Sequence, residues 1–158
     1  MSQSPAVGVT AYVGLGANLG DPRAALGQAL EALGRLPRTA VVCVSSLYRS
    51  APVDASGPDF LNAVAELQTA LGPYELLAEL QRIEGAAGRE RPYRNAPRTL
   101  DLDLLLYDRL EQDDPVLTLP HPRMRERAFV LLPLAEIAPG RVDPTDLLKL
   151  EKQVISRL

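Results

Sequence analysis

The sequence predicts an α+β fold: a ferredoxin-like (split βαβ) antiparallel sheet with helices on one face and additional C-terminal helices. The first observation behind this prediction is the order of the elements, which is strand, helix, strand, strand, helix, strand. The second is periodicity, because leucines recur at three- and four-residue spacing in the helical segments while a later segment alternates between its two sides. The third is size, since 158 residues with 46 % hydrophobic and 23 % charged composition suit one domain, 1–158.

The apolar spacing places the helices at 22–33, at 73–84 and, after a short helical turn at 122–127, up to Ile137. Asp21 is a good N-cap for the first helix, and Pro22 stands where its first residue should be. The stretch 85–97 has no apolar period and is predicted to be a mobile loop. The tail is predicted to be helical from Asp146, within a C-terminal cap, 140–158.

Four segments rich in small, β-branched or leucine residues are predicted to be strands, at 7–15, 41–48, 60–69 and 98–107. The third strand presents leucine and alanine on one side and Phe60, Asn62, Val64 and Glu66 on the other. It is predicted to run antiparallel to the second, after a loop over 50–59.

Composition excludes several classes of protein. The net charge of −3 argues against a general nucleic-acid footprint. No apolar run approaches the roughly 20 residues of a membrane span, and the N-terminus does not resemble a signal peptide, so we expect a soluble, cytoplasmic protein without membrane partners. Cys43 is the single cysteine, which excludes an internal disulfide and a thiolate metal cluster.

The segment "PRTLDLDLLLYD", residues 97–108, places two carboxylates one residue apart in a leucine-rich strand. Alternation directs the leucines at 100, 102, 104 and 106 toward the helices and leaves Asp101 and Asp103 together on the opposite face. About 7 Å apart, two such charges repel by roughly 2 kcal/mol at an effective dielectric near 20. A cation must therefore lie between them, or one must hold a proton. Arginines and a divalent ion such as Mg²⁺ are the candidates. The alternative is a solvated strand face whose aspartates pair with Arg98 or another arginine.

Arginine dominates the segment just before this strand. Residues 82–98 hold five arginines and two glutamates, in a chain whose two lysines lie in the last ten residues. The planar guanidinium group matches phosphate oxygens two at a time, which favours a phosphorylated ligand. A solvated surface loop is the alternative for this cluster taken alone.

The other phosphate-binding patterns are weak. Gly14 and Gly16 lack the third glycine of a dinucleotide fingerprint, no P-loop lysine follows, and we interpret these glycines as a tight strand-to-helix turn. His121 is the only histidine, so neither a catalytic triad nor a histidine-metal cluster can be built from it. Its neighbours Arg123, Arg125 and Arg127 favour a hydrogen bond to phosphate over a purely structural role.

Six segments in one order resemble the 6-hydroxymethyl-7,8-dihydropterin pyrophosphokinase family of folate biosynthesis. They are "VGLGANLGD", "SSLYRSAP", "DFLNAVAEL", "QRIE…GRER", "PRTLDLDLLLY" and "LPHPRMRERAFVLLPLAEIAP", which span about 11–139. The family has a ferredoxin-like fold and transfers a diphosphate from ATP to the hydroxymethyl group of the pterin, releasing AMP. The resemblance implies the same reaction here, with ATP and the hydroxymethyl dihydropterin as small-molecule substrates and two Mg²⁺ ions. We expect no nucleic-acid partner and a monomer.

The resemblance also implies roles for individual residues on the nucleotide side. Asp101 and Asp103 match the pair that holds the two Mg²⁺ ions, and Arg89 and Arg98 match catalytic arginines that bind the triphosphate. The further nucleotide contacts that it implies are Gln81, Glu84, Arg91, Leu104, Thr118, His121 and Arg127.

For the pterin, the resemblance makes Asn62 the side chain that reads the amide and amino edge of the ring. Phe60 and Phe129 match the two aromatic positions that sandwich it. The implied contacts that complete the edge come from backbone groups around Ser50, Pro52 and Val53.

Two other functions remain open on the residues alone. A non-catalytic ferredoxin-like nucleotide-binding module would use the arginines but would not need two aspartates on one face. An enzyme that transfers a single phosphate to another small alcohol would release ADP instead of AMP.

Overall fold

The computed structural model describes residues 8–18, 20–51, 58–88 and 100–158. The strands within them are β1 (Val9–Ala17), β2 (Thr39–Val44), β3 (Tyr48–Ser50), β4 (Phe60–Thr69), β5 (Asp101–Tyr107), β6 (Gln112–Asp113), β7 (Thr118–Leu119) and β8 (Ile155–Arg157). The α-helices are α1 (Pro22–Gly34), α2 (Pro73–Gly88), α3 (Ala128–Ile137) and α4 (Pro144–Lys149). None of the described helices is both long and apolar enough to cross a bilayer.

The main sheet is antiparallel and has the predicted ferredoxin-like order. Its strands follow the order β5, β1, β4, β3, β8, and β2 also pairs with β4, alongside β3. The helices α1 and α2 each connect two of its strands, as a split βαβ unit requires. The α+β fold class predicted from the order of the elements is confirmed.

Helices α1 and α2 cover one face of the sheet. Asp21 Oδ1 accepts a hydrogen bond from Ala24 N–H at 3.1 Å, and Pro22 follows it at the start of α1, as predicted. The core on this face includes Leu26 and Leu33 from α1 and Leu76 and Leu80 from α2. Leu102 and Leu104 of β5 belong to the same core, so this strand turns its leucines toward the helices.

Helix α3 covers part of the opposite face. Leu131 and Leu134 of this helix pack in a second core with Val64 of β4 and Leu105 and Leu106 of β5. The helices therefore lie on two faces, and the C-terminal one shields the middle of the sheet. Within the described residues, the end of the sheet where β5 begins is left open to a cavity.

Leu106 is one residue that the alternation places wrongly. The register between β1 and β5 pairs Tyr12 with Leu106 and Val13 with Leu104, so Leu105 is an extra residue in a β-bulge. The bulge turns Leu106 toward α3, away from the α1 and α2 core. A bulge leaves no mark in an all-leucine run, so the sequence could not reveal it.

The strand predicted at 41–48 is two strands, β2 and β3, separated at 45–47. The two serines in this break make hydrogen bonds to other parts of the chain. Ser45 Oγ accepts a hydrogen bond from Val64 N–H at 3.0 Å. Ser46 N–H and Oγ–H both donate to Glu136 on α3. The serine side chains thus compete with the backbone hydrogen bonds that would continue a regular strand.

Three further boundaries differ from the prediction. Helix α2 continues through Gly88, so residues 85–88 are helical, and the rest of the predicted loop lies outside the described residues. Strand β1 runs on through Ala17 and includes Gly14 and Gly16, which corrects the predicted turn. The tail is helical only to Lys149, and its last residues form β8 against β3.

Glu136 ties α3 to the segment between β2 and β3. Its carboxylate accepts hydrogen bonds from Tyr48 O–H at 2.8 Å and from Ser46, and Arg157 Nη2 lies 3.5 Å away. Burial opposes ionisation, but the hydrogen bonds from Tyr48 and Ser46 and the charge of Arg157 outweigh it and hold the pKa of Glu136 below its usual value. The ionised carboxylate therefore stabilises the folded chain.

Replacing Glu136 with glutamine is expected to lower the free energy of unfolding by about 1 kcal/mol at pH 7, because charge-assisted hydrogen bonds become neutral ones. A carboxyl with a lowered folded-state pKa stabilises above its unfolded pKa and loses that effect as the pH falls through the folded value. The difference between the two proteins should therefore shrink below about pH 4. Urea denaturation across pH 3–7 measures it. Glu31→Gln, which alters an exposed ion pair with Arg35, should change stability little at any pH.

Candidate active site

A cavity of about 310 Å³ opens on the uncovered end of the sheet, between β1, β4, β5 and the start of α3. Its lining is Gly14, Leu15, Gly16, Ser50, Ala51, Phe60, Asn62, Ala63, Asp101, Asp103, Arg127, Phe129 and Val130. These residues come from distant parts of the chain, and the split βαβ topology brings them together because β1 lies between β4 and β5.

Asp101 and Asp103 both line this cavity, while Leu102 between them is buried in the opposite core. The predicted common face of the two aspartates is thus present. In the register with β1, Gly16 lies opposite Asp101 and Gly14 lies opposite Asp103. The two carboxylates therefore project beside positions that carry no side chain.

Gly14 and Gly16 form the floor of the cavity. A Cβ atom at Gly16 would lie 3.2 Å from Asn62 Oδ1, and one at Gly14 would lie 3.5 Å from the side chain of Leu105. This role is not among the predictions made from the sequence, which assign the two glycines to a strand-to-helix turn. Their two-residue spacing directly after apolar strand residues is the signal for glycines that share one face of a strand.

His121 lies next to Asp103, with Nε2 3.8 Å from Asp103 Oδ1. Its Nδ1 accepts a hydrogen bond from Arg123 N–H at 3.2 Å, so the proton of the neutral ring is on Nε2. Burial lowers the pKa of His121, the carboxylate of Asp103 opposes this shift, and the charges of Arg127 and Arg123 add to it. A neutral imidazole that directs an N–H toward the aspartates can donate to an anionic oxygen there.

Glu84 acts on the strand that carries the aspartates. Its Oε2 accepts a hydrogen bond from Leu102 N–H at 2.7 Å. This N–H belongs to the peptide group that joins Asp101 to Leu102. Gln81, one turn earlier on α2, is exposed. Leu104 is 3 % exposed in the core, so contact with a ligand would have to come from its backbone.

Thr118 lies apart from the cavity lining, on the short strand β7, and is half-buried. It pairs with Asp113 of β6 in a two-stranded ribbon. His121 follows this strand closely, and its N–H donates to Leu105 C=O at 2.9 Å. The ribbon thus leads the chain back to the edge of β5.

On the other side of the cavity, Asn62 is 3 % exposed and donates from Nδ2 to Ser50 Oγ at 2.8 Å. This bond orients the amide, and its oxygen lies near the floor at Gly16. Phe60 and Phe129 both line the cavity, one from the start of β4 and the other from the start of α3. The guanidinium carbon of Arg127 lies 5.3 Å from the centre of the Phe129 ring.

Five of the predicted site residues lie outside the described residues. They are Arg89, Arg91, Arg98, Pro52 and Val53. The structure brings together the others on the pterin side and the aspartates, with His121 and Arg127 near them.

The donor set suits a hard divalent cation. Within the described ranges no three His, Cys, Asp or Glu side chains cluster as a metal site would require. Two carboxylates on one face, with no third such ligand clustered beside them among the described residues, suit Mg²⁺ when a bound phosphate and water supply its other ligands. The residues present therefore fit a magnesium–nucleotide site better than a permanent calcium site.

Comparison with known proteins agrees with this arrangement. The family model described as 7,8-dihydro-6-hydroxymethylpterin-pyrophosphokinase (HPPK) matches residues 12–139. Two relatives bear the name 2-amino-4-hydroxy-6-hydroxymethyldihydropteridine pyrophosphokinase. The Pseudomonas aeruginosa protein is 52 % identical over 81 % of this chain and 80 % of its own length. The Haemophilus influenzae protein is 45 % identical over 95 % and 91 %.

Two solved structures share the fold. A protein described as HPPK-DHPS in complex with substrates has a TM-score of 0.67 at 12 % identity and covers 92 % of this chain. A Plasmodium falciparum HPPK-DHPS has a TM-score of 0.65 at 14 % identity and covers 82 %. This chain spans only 44 % and 40 % of those two longer chains. Since the family model matches residues 12–139, which include both aspartates, Asn62, most of β1 and all of β2 to β5, the chain belongs to the 7,8-dihydro-6-hydroxymethylpterin-pyrophosphokinase family.

Proposed function

We propose that this chain transfers a diphosphate from ATP to the hydroxymethyl group of 6-hydroxymethyl-7,8-dihydropterin in folate biosynthesis, releasing AMP. The observation that carries the proposal is the composition of one cavity. It joins two aspartates on one face to a buried amide and two phenylalanines. The first group suits a metal-bound phosphate chain, and the second suits a flat heterocycle with a hydrogen-bonding edge.

The reaction needs the two substrates side by side. The hydroxyl oxygen of the pterin forms a bond to the β-phosphorus of ATP, and its proton passes to solvent. The bond from that phosphorus to the oxygen bridging the α-phosphate breaks, and AMP leaves with that oxygen. Positioning and charge stabilisation dominate such a transfer, so a strong protein base is not required.

On the pterin side, Phe60 and Phe129 would hold the ring between their faces. Asn62 would read its amide and amino edge, with its own orientation set by Ser50. Backbone groups around Ser50, Pro52 and Val53 would complete the recognition of that edge. A buried amide selects strongly, because a ligand lacking the matching groups leaves the amide unpaired.

On the nucleotide side, Asp101 and Asp103 would hold Mg²⁺, and we propose two ions. When bound, the metal neutralises phosphate charge and makes the hydroxyl more acidic. His121 would donate from Nε2 to a phosphate oxygen, and Arg127 would add a positive charge at the same end of the cavity. Glu84 would keep the aspartate strand in place through the N–H of Leu102.

The remaining nucleotide contacts that we propose are Gln81, Arg89, Arg91, Arg98, Leu104 and Thr118. Arg89 and Arg98 would bind the triphosphate and stabilise its charge during transfer. We further propose that residues 1–158 act as one domain, as a monomer and without a nucleic-acid partner.

Identifying the released nucleotide tests the proposed reaction. The chain is incubated with ATP, Mg²⁺ and the hydroxymethyl pterin, and the nucleotide products are separated by chromatography. Release of AMP in step with diphosphorylated pterin is the expected result. ADP would indicate transfer of a single phosphate. No turnover, with ATP still bound, would indicate a non-catalytic nucleotide-binding module.

A further inference from the structure

The C-terminal segment 150–158 lies beyond the family-matched residues, yet it contacts two walls of the cavity. Strand β8 pairs antiparallel with β3, and Ile155 lies opposite Ser50. Ser50 in turn accepts the hydrogen bond that orients Asn62. The segment reaches the second wall, at the start of α3, through Gln153.

The side-chain amide of Gln153 bridges the peptide groups on both sides of Arg127. Its Oε1 accepts from Ala128 N–H at 2.9 Å, and its Nε2 donates to Glu126 C=O at 2.9 Å. Arg127 is the N-cap residue of α3 and makes no side-chain capping bond of its own. Ala128 N–H is among the helix-start donors that have no partner within a helix, and Gln153 supplies that partner.

The turn at residues 126–128 borders open space among the described residues. A second cavity, of about 680 Å³, lies against it and is lined by Gln153, Val154 and Ile155. Arg127 and Phe129 line both cavities, so open space adjoins them on two sides. Hydrogen bonds to the backbone beside them therefore help to set their orientation.

We propose that Gln153 is a positioning residue for pterin binding: its amide bridges Glu126 and Ala128 so that Arg127 and Phe129 face the cavity. The proposal rests on the proposed function, because Phe129 is there a face of the pterin site. It gives the C-terminal segment a role in substrate binding. That role does not require Gln153 to touch the substrate.

Gln153→Met tests the proposal, because methionine has nearly the same length but neither donates nor accepts in this way. The KM for the pterin is expected to rise roughly fivefold while kcat stays within about twofold, since the turn affects binding more than transfer. The pterin Kd, measured by its fluorescence without ATP, should rise by the same factor. Lys152→Met, at the exposed neighbouring position, is the matched control and should leave both constants unchanged.

Gln153→Asn provides a second variant, since its shorter amide can make only one of the two hydrogen bonds and should give a smaller rise in KM. It replaces the methionine variant if that one does not fold. An active wild-type chain with an unchanged pterin KM in these variants would overturn the inference and leave the proposed function intact. Loss of thermal stability with an unchanged KM would also overturn it, by indicating a structural role. A wild-type chain that neither binds the pterin nor releases AMP would overturn both proposals.

Discussion

Asp101→Asn and Asp103→Asn are each expected to lower kcat by about 10³-fold or more, because an amide binds Mg²⁺ far less well than a carboxylate. Both side chains line the same cavity, where they would hold the Mg²⁺ that would neutralise phosphate charge and make the pterin hydroxyl more acidic in the proposed transfer. The effect should fall on turnover more than on pterin binding, since the pterin is proposed to bind at Asn62 and the phenylalanines. Single-turnover measurements of AMP release, over a range of Mg²⁺ concentrations, distinguish lost chemistry from weakened metal binding.

Asp108→Asn is the matched control for these two substitutions. It makes the same chemical change directly after β5, at a residue whose φ of 51° lies in the left-handed region that asparagine tolerates. Its activity and free energy of unfolding should stay close to those of the wild type. Near-normal turnover in either Asp101→Asn or Asp103→Asn would show that the substituted residue is not a metal ligand. The proposed role of the common face of β5 would then be wrong.

The sequence is informative about this site wherever side chains alternate regularly. Two-residue spacing places Asp101 and Asp103 together, and the same rule puts Phe60 and Asn62 on one side of β4. Both pairs line the cavity, although 38 residues lie between Asn62 and Asp101 in the chain. Local periodicity gives the face, and the predicted order of the strands brings the two faces to one sheet.

What the sequence could not give depends on backbone detail and on distant contacts. The bulge at Leu105 leaves no trace among consecutive leucines, and it reverses the direction of Leu106. The bond from Glu84 to Leu102 N–H joins residues far apart in the chain and needs the packing of α2 on the edge of β5. The strand β8 has no strong strand pattern of its own and forms because β3 offers an unpaired edge.

Asn62→Leu is expected to lower kcat/KM for the pterin by roughly 10²- to 10³-fold, mainly through KM. Leucine has the same branched shape, with a larger volume, but leaves the ring edge without the hydrogen-bonding partner that is proposed for it, in a buried position. The affinity for a non-hydrolysable ATP analogue should not change, because the nucleotide is proposed to bind at the aspartate end. Titration calorimetry with each substrate separately measures this contrast.

Two further variants separate direct recognition from orientation of the amide. Ser50→Ala removes only the oxygen to which Asn62 Nδ2 donates, so its effect on pterin KM should be smaller, roughly fivefold. Gln68→Leu makes the same kind of change on the same strand, where the amide contacts Thr10 away from the cavity, and should leave pterin KM unaltered. If Ser50→Ala were as damaging as Asn62→Leu, the hydroxyl of Ser50 would itself be the recognition group. If Asn62→Leu bound the pterin normally, the buried amide would be only a structural link between β3 and β4. Recognition of the ring would then have to come from the backbone around residue 50.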